Sequence, residues 1–413
     1  MGATASSLGI IIDLKEKPTD DEYHAYRGRG IKAKRSEEPQ GSNFYKYTYA
    51  VPTGGSFTVK EIKDDNGKKV DVSELKGVPK VTSVFAYYWR YDKTGQKPTK
   101  ALLIGATAGS RPKNKIKYYA RGSDTLKWYS PTISFFFSNQ HLTGELLEKE
   151  LDDLTCEHNN AVTINLTETH SENHRNGQKY CCGYHNSKNE AKVTVTKQEV
   201  SCGEGGHDSI HIPYFKHEIY DGSSRLTKIK YYENGNQRKR IKLKDHDFPI
   251  DSPLTLYFFY CTGNYPKLIY INGTGKKQVN GWFKKPDNSD SNGDEQWEKV
   301  PGLPDKGPES IIDCDKYNQL VEVLNKISGY NSYQKCPGPK VSESDQPEET
   351  PTEFSTEKLE ADSLGTSQLS RDDSTWTLIG VSTGVGLTFG TVYLVGWKLY
   401  KRYKQSDRWI RQI

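Results

Sequence analysis

The sequence predicts a mainly β fold: two tandem modules, each a β-sandwich-like or barrel-like sheet with a terminal helix, then a disordered acidic linker and one C-terminal transmembrane helix. Three observations lead there. Tyrosine is abundant (27) and methionine nearly absent (1), which with many Thr, Val and Lys favours strands with polar faces over helix bundles. Apolar residues come in short runs bounded by Gly, Pro, Asn and Asp, as strands and turns do. Two long segments, 44–154 and 214–327, run in parallel along the chain.

The first module spans 1–155 and the second 156–336. FYKYTYAVPTGGSFTVKEIKDDNG is answered by YFKHEIYDGSSRLTKIKYYENG, an aromatic-rich strand, a Gly turn, a second strand and a polar turn. The leaders match too, GIIIDLKEKP with AVTINLTETH. SVFAYYW and LTLYFFYC are nearly continuous apolar runs, as in a strand covered on both faces. KIKYY and RIKLK alternate, as in a strand with one wet face. Helical spacing puts Leu142, Leu146, Leu147, Leu151 and Leu154 on one face at the end of the first module. Leu320, Val321, Leu324 and Ile327 do the same in the second.

Net charge divides by region: +6 over 1–155, +1 over 156–339, −7 over 340–375 and +5 over 376–413. So mild an excess on the folded modules argues against a nucleic-acid partner. The linker 337–375 is rich in Pro, Glu, Ser and Thr with isolated apolar residues, too few to offset chain entropy. Beyond it, Trp376 to Trp397 carries no charge over 22 positions. As a helix this run spans ~33 Å, enough to cross a bilayer. Small residues one turn apart, Gly380 with Gly384 and Gly386 with Gly390, offer a face for a homodimer through that helix.

The basic tail 398–413 and the acidic linker predict an extracellular or lumenal body with a cytosolic tail. The N-terminus argues the other way, lacking the basic and apolar regions of a secretory signal. Gly2 and Ser6 instead fit a myristoylation pattern, which requires a cytosolic body and so excludes N-glycans.

All seven cysteines fall in the second module: Cys156, Cys181, Cys182, Cys202, Cys261, Cys314 and Cys336. An oxidising compartment would make them a disulfide framework. With His158, His185, His207 and His211 nearby, Cys156, Cys181, Cys182 and Cys202 also have the residue types of a tetrahedral zinc site, although their spacing fits no standard finger. Asn165-Leu-Thr167 and Asn272-Gly-Thr274 are glycosylation sequons, the second at an exposed turn.

The run 238–244 (RKRIKLK) is the strongest basic stretch. Its alternation predicts a strand with Ile241 and Leu243 inward and the cations in solvent. Catalytic signatures are poor. His170 and His174 lie four apart outside an H-E-x-x-H motif, in surroundings that read as non-helical. Gly28-Arg-Gly30 follows no apolar strand, and no G-x-S-x-G occurs. We therefore expect neither an enzyme nor a resident cofactor.

The segments CEHNNAVTINL, YCCGYH and FPIDSPLTLYFFYCTGNYPKLIYINGTG resemble the lineage-specific tandem-repeat proteins of piroplasm parasites, the Theileria and Babesia group, especially the equine Theileria type. The resemblance covers 156–330 best, 8–154 less, and extends to the order of repeats, acidic linker and C-terminal helix. It implies a host-facing protein with an interaction or antigenic role and no enzyme mechanism; separately, we expect the membrane and a protein or glycan ligand as partners. The alternative expectation is a cytosol-facing, tail-anchored scaffold whose second module holds structural zinc.

Overall fold

The structure is a computed structural model. It describes residues 9–26, 30–72, 80–92, 97–109, 115–123, 127–131, 142, 144–203, 210–233, 237–260, 265–275, 278–286, 293–329 and 333–336. The N-terminal Gly2 and Ser6, Cys261, His207, the linker 337–375, the apolar run 376–397 with Gly380, Gly384, Gly386 and Gly390, and the tail 398–413 lie outside the described residues. Among the described residues no helix is long and apolar enough to cross a membrane.

The chain is mainly β. Its first strands are β1 (Ile10–Asp13), β2 (His24–Tyr26), β3 (Ile31–Glu37), β4 (Phe44–Ala50), β5 (Val59–Lys63), β6 (Val81–Trp89), β7 (Ala101–Ala108), β8 (Lys115–Arg121) and β9 (Trp128–Tyr129). Helix α1 (Gly144–Asn159) follows. Then come β10 (Ala161–Asn165), α2 (Glu168–His174), β11 (Asn176–Tyr180), α3 (Gly183–Ser187), β12 (Val193–Ser201), β13 (His211–Ile219), β14 (Arg225–Glu233) and β15 (Gln237–Leu243). The series closes with β16 (Ile250–Asp251), β17 (Leu254–Tyr260), β18 (Pro266–Gly273), β19 (Asn280–Lys284), β20 (Asp294–Lys299) and α4 (Cys314–Ser328).

Seven strands form an antiparallel sheet in the order β2-β3-β4-β6-β7-β8-β9, while β1 pairs with β5 in parallel beside it. A second sheet runs β10-β14-β15-β20-β19-β18-β17-β13-β12-β11, with β16 on β14. The stacked pair of sheets expected of a sandwich is not what residues 161–299 form. β15 pairs in parallel with β20, which joins all eleven strands into one hydrogen-bonded sheet. That sheet curls until its two ends share one core, Val162 and Ile164 of β10 lying in the same cluster as Tyr180 of β11.

The continuous apolar runs sit where a two-faced strand belongs. In β6, Val84, Ala86 and Tyr88 face the inner core, while Phe85, Tyr87 and Trp89 face the cluster under α1. β17 divides likewise, Leu256 and Phe258 inward, Tyr257 and Phe259 under α4. Leu147, Leu151 and Leu154 of α1 are fully buried on the first sheet, each worth roughly 1.5–3 kcal/mol. Leu146, expected on that stripe, is instead 40% exposed. Asn160, in the left-handed region at φ 52°, ends α1, which runs through the expected module boundary at 155/156. Helix α4 starts on Asp313, whose side chain accepts from the Lys316 N–H at 2.8 Å, and ends at Gly329 with φ 74°.

Candidate functional site

Helical spacing gives α1 a second face. Glu148, Asp152 and Cys156 recur every four residues, beside the leucine stripe, and point at the second sheet. Lys228 Nζ of β14 lies 2.6 Å from Glu148 Oε1 and 2.8 Å from Asp152 Oδ1, and Lys230 Nζ lies 3.3 Å from Asp152 Oδ2. Arg238 of β15 also pairs with Glu148. Burial alone would raise the Asp152 carboxyl, but the two lysines beside it hold it below its ordinary value. A low-dielectric site makes this pairing obligatory, because each charge would be costly alone.

At the end of this stripe Cys156 meets the segment between β11 and α3. A disulfide joins Cys156 to Cys181, with Cα atoms 7.1 Å apart. His185 Nδ1, on α3, is 3.4 Å from Cys156 Sγ and 3.2 Å from Cys182 Sγ. The donor atoms of Cys156, Cys181, Cys182 and His185 all lie within 4.8 Å of one another. Cys156, Cys182 and His185 are buried, and burial pushes the Cys182 thiol up and the His185 imidazole down.

Cys156, Cys181 and Cys182 form one wall of a cavity of about 520 Å³ that also reaches His170, His174, Tyr180, Asp153 and Lys230. Contrary to the expected non-helical surroundings, His170 and His174 sit on α2, with ring centroids 4.6 Å apart. Behind them runs a chain of hydrogen bonds. The Asn165 N–H donates to Tyr180 Oη (3.3 Å), which lies 3.1 Å from His217 Nδ1. His217 Nε2 is 3.3 Å from Ser171 Oγ, which is 3.3 Å from Tyr260 Oη, and that hydroxyl donates to the Leu166 carbonyl at 2.7 Å. The Ser171–His217 pair has nucleophile–base geometry, yet both side chains are 0% exposed and a phenol stands where a carboxylate would orient the imidazole. The chain of hydrogen bonds as a whole ties β10 to β11, β13 and β17.

The cysteine and histidine residues grouped by sequence separate into two clusters. Cys202 is bonded to Cys314, with Cα atoms 5.4 Å apart, and Cys336 joins their sulfur atoms under α4. His158 faces away from the cysteines, its ring N–H donating to the Arg121 carbonyl at 3.0 Å. His211 lies near Glu199 on the far part of β12 and β13. Asn272 is exposed on β18. Asn165 is half-buried, its amide oxygen accepting from Thr167 Oγ1 at 2.8 Å.

In the basic run, Ile241 and Leu243 are inward as expected, but the cations are not all solvated. Lys239 and Arg240 are buried, Arg240 Nε lying 2.6 Å from Asp294. The Lys228–Lys230 contacts to α1 were missed from sequence; the only signal was carboxylates and a cysteine at spacing four.

Comparison with protein-family models, with curated proteins and with solved structures finds no match to this chain.

Proposed function

We propose that this is a membrane-anchored binding or display protein built from two copies of one β module, acting without catalysis. One observation carries the reading. The order β2-β3-β4-β6-β7-β8-β9 recurs strand for strand as β11-β12-β13-β17-β18-β19-β20, and the parallel pair β1·β5 recurs as β10·β14. Even the isolated parallel bridge Asp71↔Lys127 has its counterpart in the parallel β15·β20 ladder. In both copies a helix, α1 or α4, covers the outer face.

Duplication of a fully packed scaffold leaves its surfaces free to diverge for recognition, which suits a protein or glycan ligand. The uncharged run 376–397 then anchors the body, and the acidic 337–375 segment holds it off the bilayer. The likeness to piroplasm tandem-repeat surface proteins points the same way. Protease treatment of intact cells carrying the full chain tests it. The body should be digested, and Asn272 should carry a glycan removable by an endoglycosidase. A body that resists protease until the cells are permeabilised would overturn the outward-facing reading.

A further inference from the structure

We propose that Cys156, Cys181, Cys182 and His185 form a closed tetrahedral zinc site when the cysteines are reduced. The proposal goes beyond the display reading and does not depend on it. Three thiolates and one imidazole are a structural zinc set. With Zn–S near ~2.3 Å and Zn–N near ~2.05 Å, tetrahedral geometry puts sulfur and nitrogen roughly 3.6 Å apart. The two distances from His185 Nδ1, 3.4 and 3.2 Å, approach that separation, and no donor atom is more than 4.8 Å from another.

The backbone supports the same conclusion. Bridged cysteines usually hold their Cα atoms about 4.4–6.8 Å apart. At 5.4 Å, Cys202 and Cys314 fit a covalent bridge, whereas Cys156 and Cys181 at 7.1 Å stand where an ion between them fits better. Cys182 gives a reason of its own. A disulfide between Cys156 and Cys181 has no use for the buried thiol and imidazole turned towards it, but a metal uses both.

Opening the Cys156–Cys181 bond takes two electrons and two protons from a dithiol, which closes to its own disulfide. Zinc then displaces the three thiol protons to solvent. The ion would fasten the last turn of α1 to the β11–α3 turn, and so the helix of the first half to the second half.

The test uses the full-length chain in detergent, reduced with a dithiol, desalted, and loaded with zinc or with cobalt(II) alone. Elemental analysis should find one zinc per chain. Cobalt should give the absorption of a tetrahedral site with thiolate charge transfer. Cys182→Ser and His185→Ala should each lose stoichiometric zinc, and Cys336→Ser should keep it, separating this site from the cluster under α4. Retention of zinc in either Cys182→Ser or His185→Ala, or no zinc in the reduced wild type, overturns the proposal. Should the variants not fold, the wild-type cobalt spectrum decides: three-thiolate tetrahedral absorption supports the site, and octahedral absorption or fewer thiolates rejects it.

Discussion

Imidazoles shielded from water make acid sensitivity a property of single residues, here the half-buried His170 and the fully buried His217. His170 is pushed down to about 4, by burial first and then by His174 and Lys230, and His217 lies well below its ordinary value. Between about 4 and the unfolded value of ~6.5, the unfolded chain binds more protons than the folded one. The stability from keeping these rings neutral is therefore fully present above ~6.5 and lost as pH falls towards 4. Urea midpoints of the full chain should drop over that window, and less steeply in His170→Gln. An equal drop in both proteins would show that His170 is solvated. Residue types at this scale were legible in the sequence, but their grouping was not. Cys182 and Cys202 look adjacent along the chain, yet β12 lies between them, nine residues long. At ~3.3 Å per residue it carries the second cysteine about 30 Å away.

At the scale of elements, α1 shows how half a helix can be read. Its leucines announced themselves through apolar spacing. Glu148 and Asp152 did not, because a buried carboxylate is spelled like a solvated one until its partner is known. Those partners, Lys228 and Lys230, lie 80 residues beyond Glu148 and 78 beyond Asp152, and alternate with Ile229 and Tyr231 in what reads as a strand with one wet face. That face is wet only in composition, for α1 covers it. Lys228→Met, which leaves Glu148 and Asp152 short of a cation, should cost about 3–5 kcal/mol in chemical denaturation. A cost below about 1 kcal/mol would mean that the pairs are exposed to solvent in solution.

The whole molecule behaves as its shared helix dictates. Leu147, Leu151 and Leu154 belong to the core of the first sheet, and Glu148, Asp152 and Cys156 to contacts with the second half, all from one rigid rod of 16 residues. The two sheets should therefore melt together. Calorimetry of the full chain should give one endotherm for residues 1–336, and two well-separated endotherms would show that the halves fold independently. The sequence made the mainly β character plain, since strand signals are local. It could not show the parallel β15·β20 pairing, because Arg240 and Asp294 meet only after more than fifty intervening residues have folded. A practical corollary concerns anyone wishing to produce either half separately. A cut ahead of residue 144 strips the first sheet of its cover, a cut after 159 leaves Lys228 and Lys230 without counter-ions, and any scissor placed between injures both products.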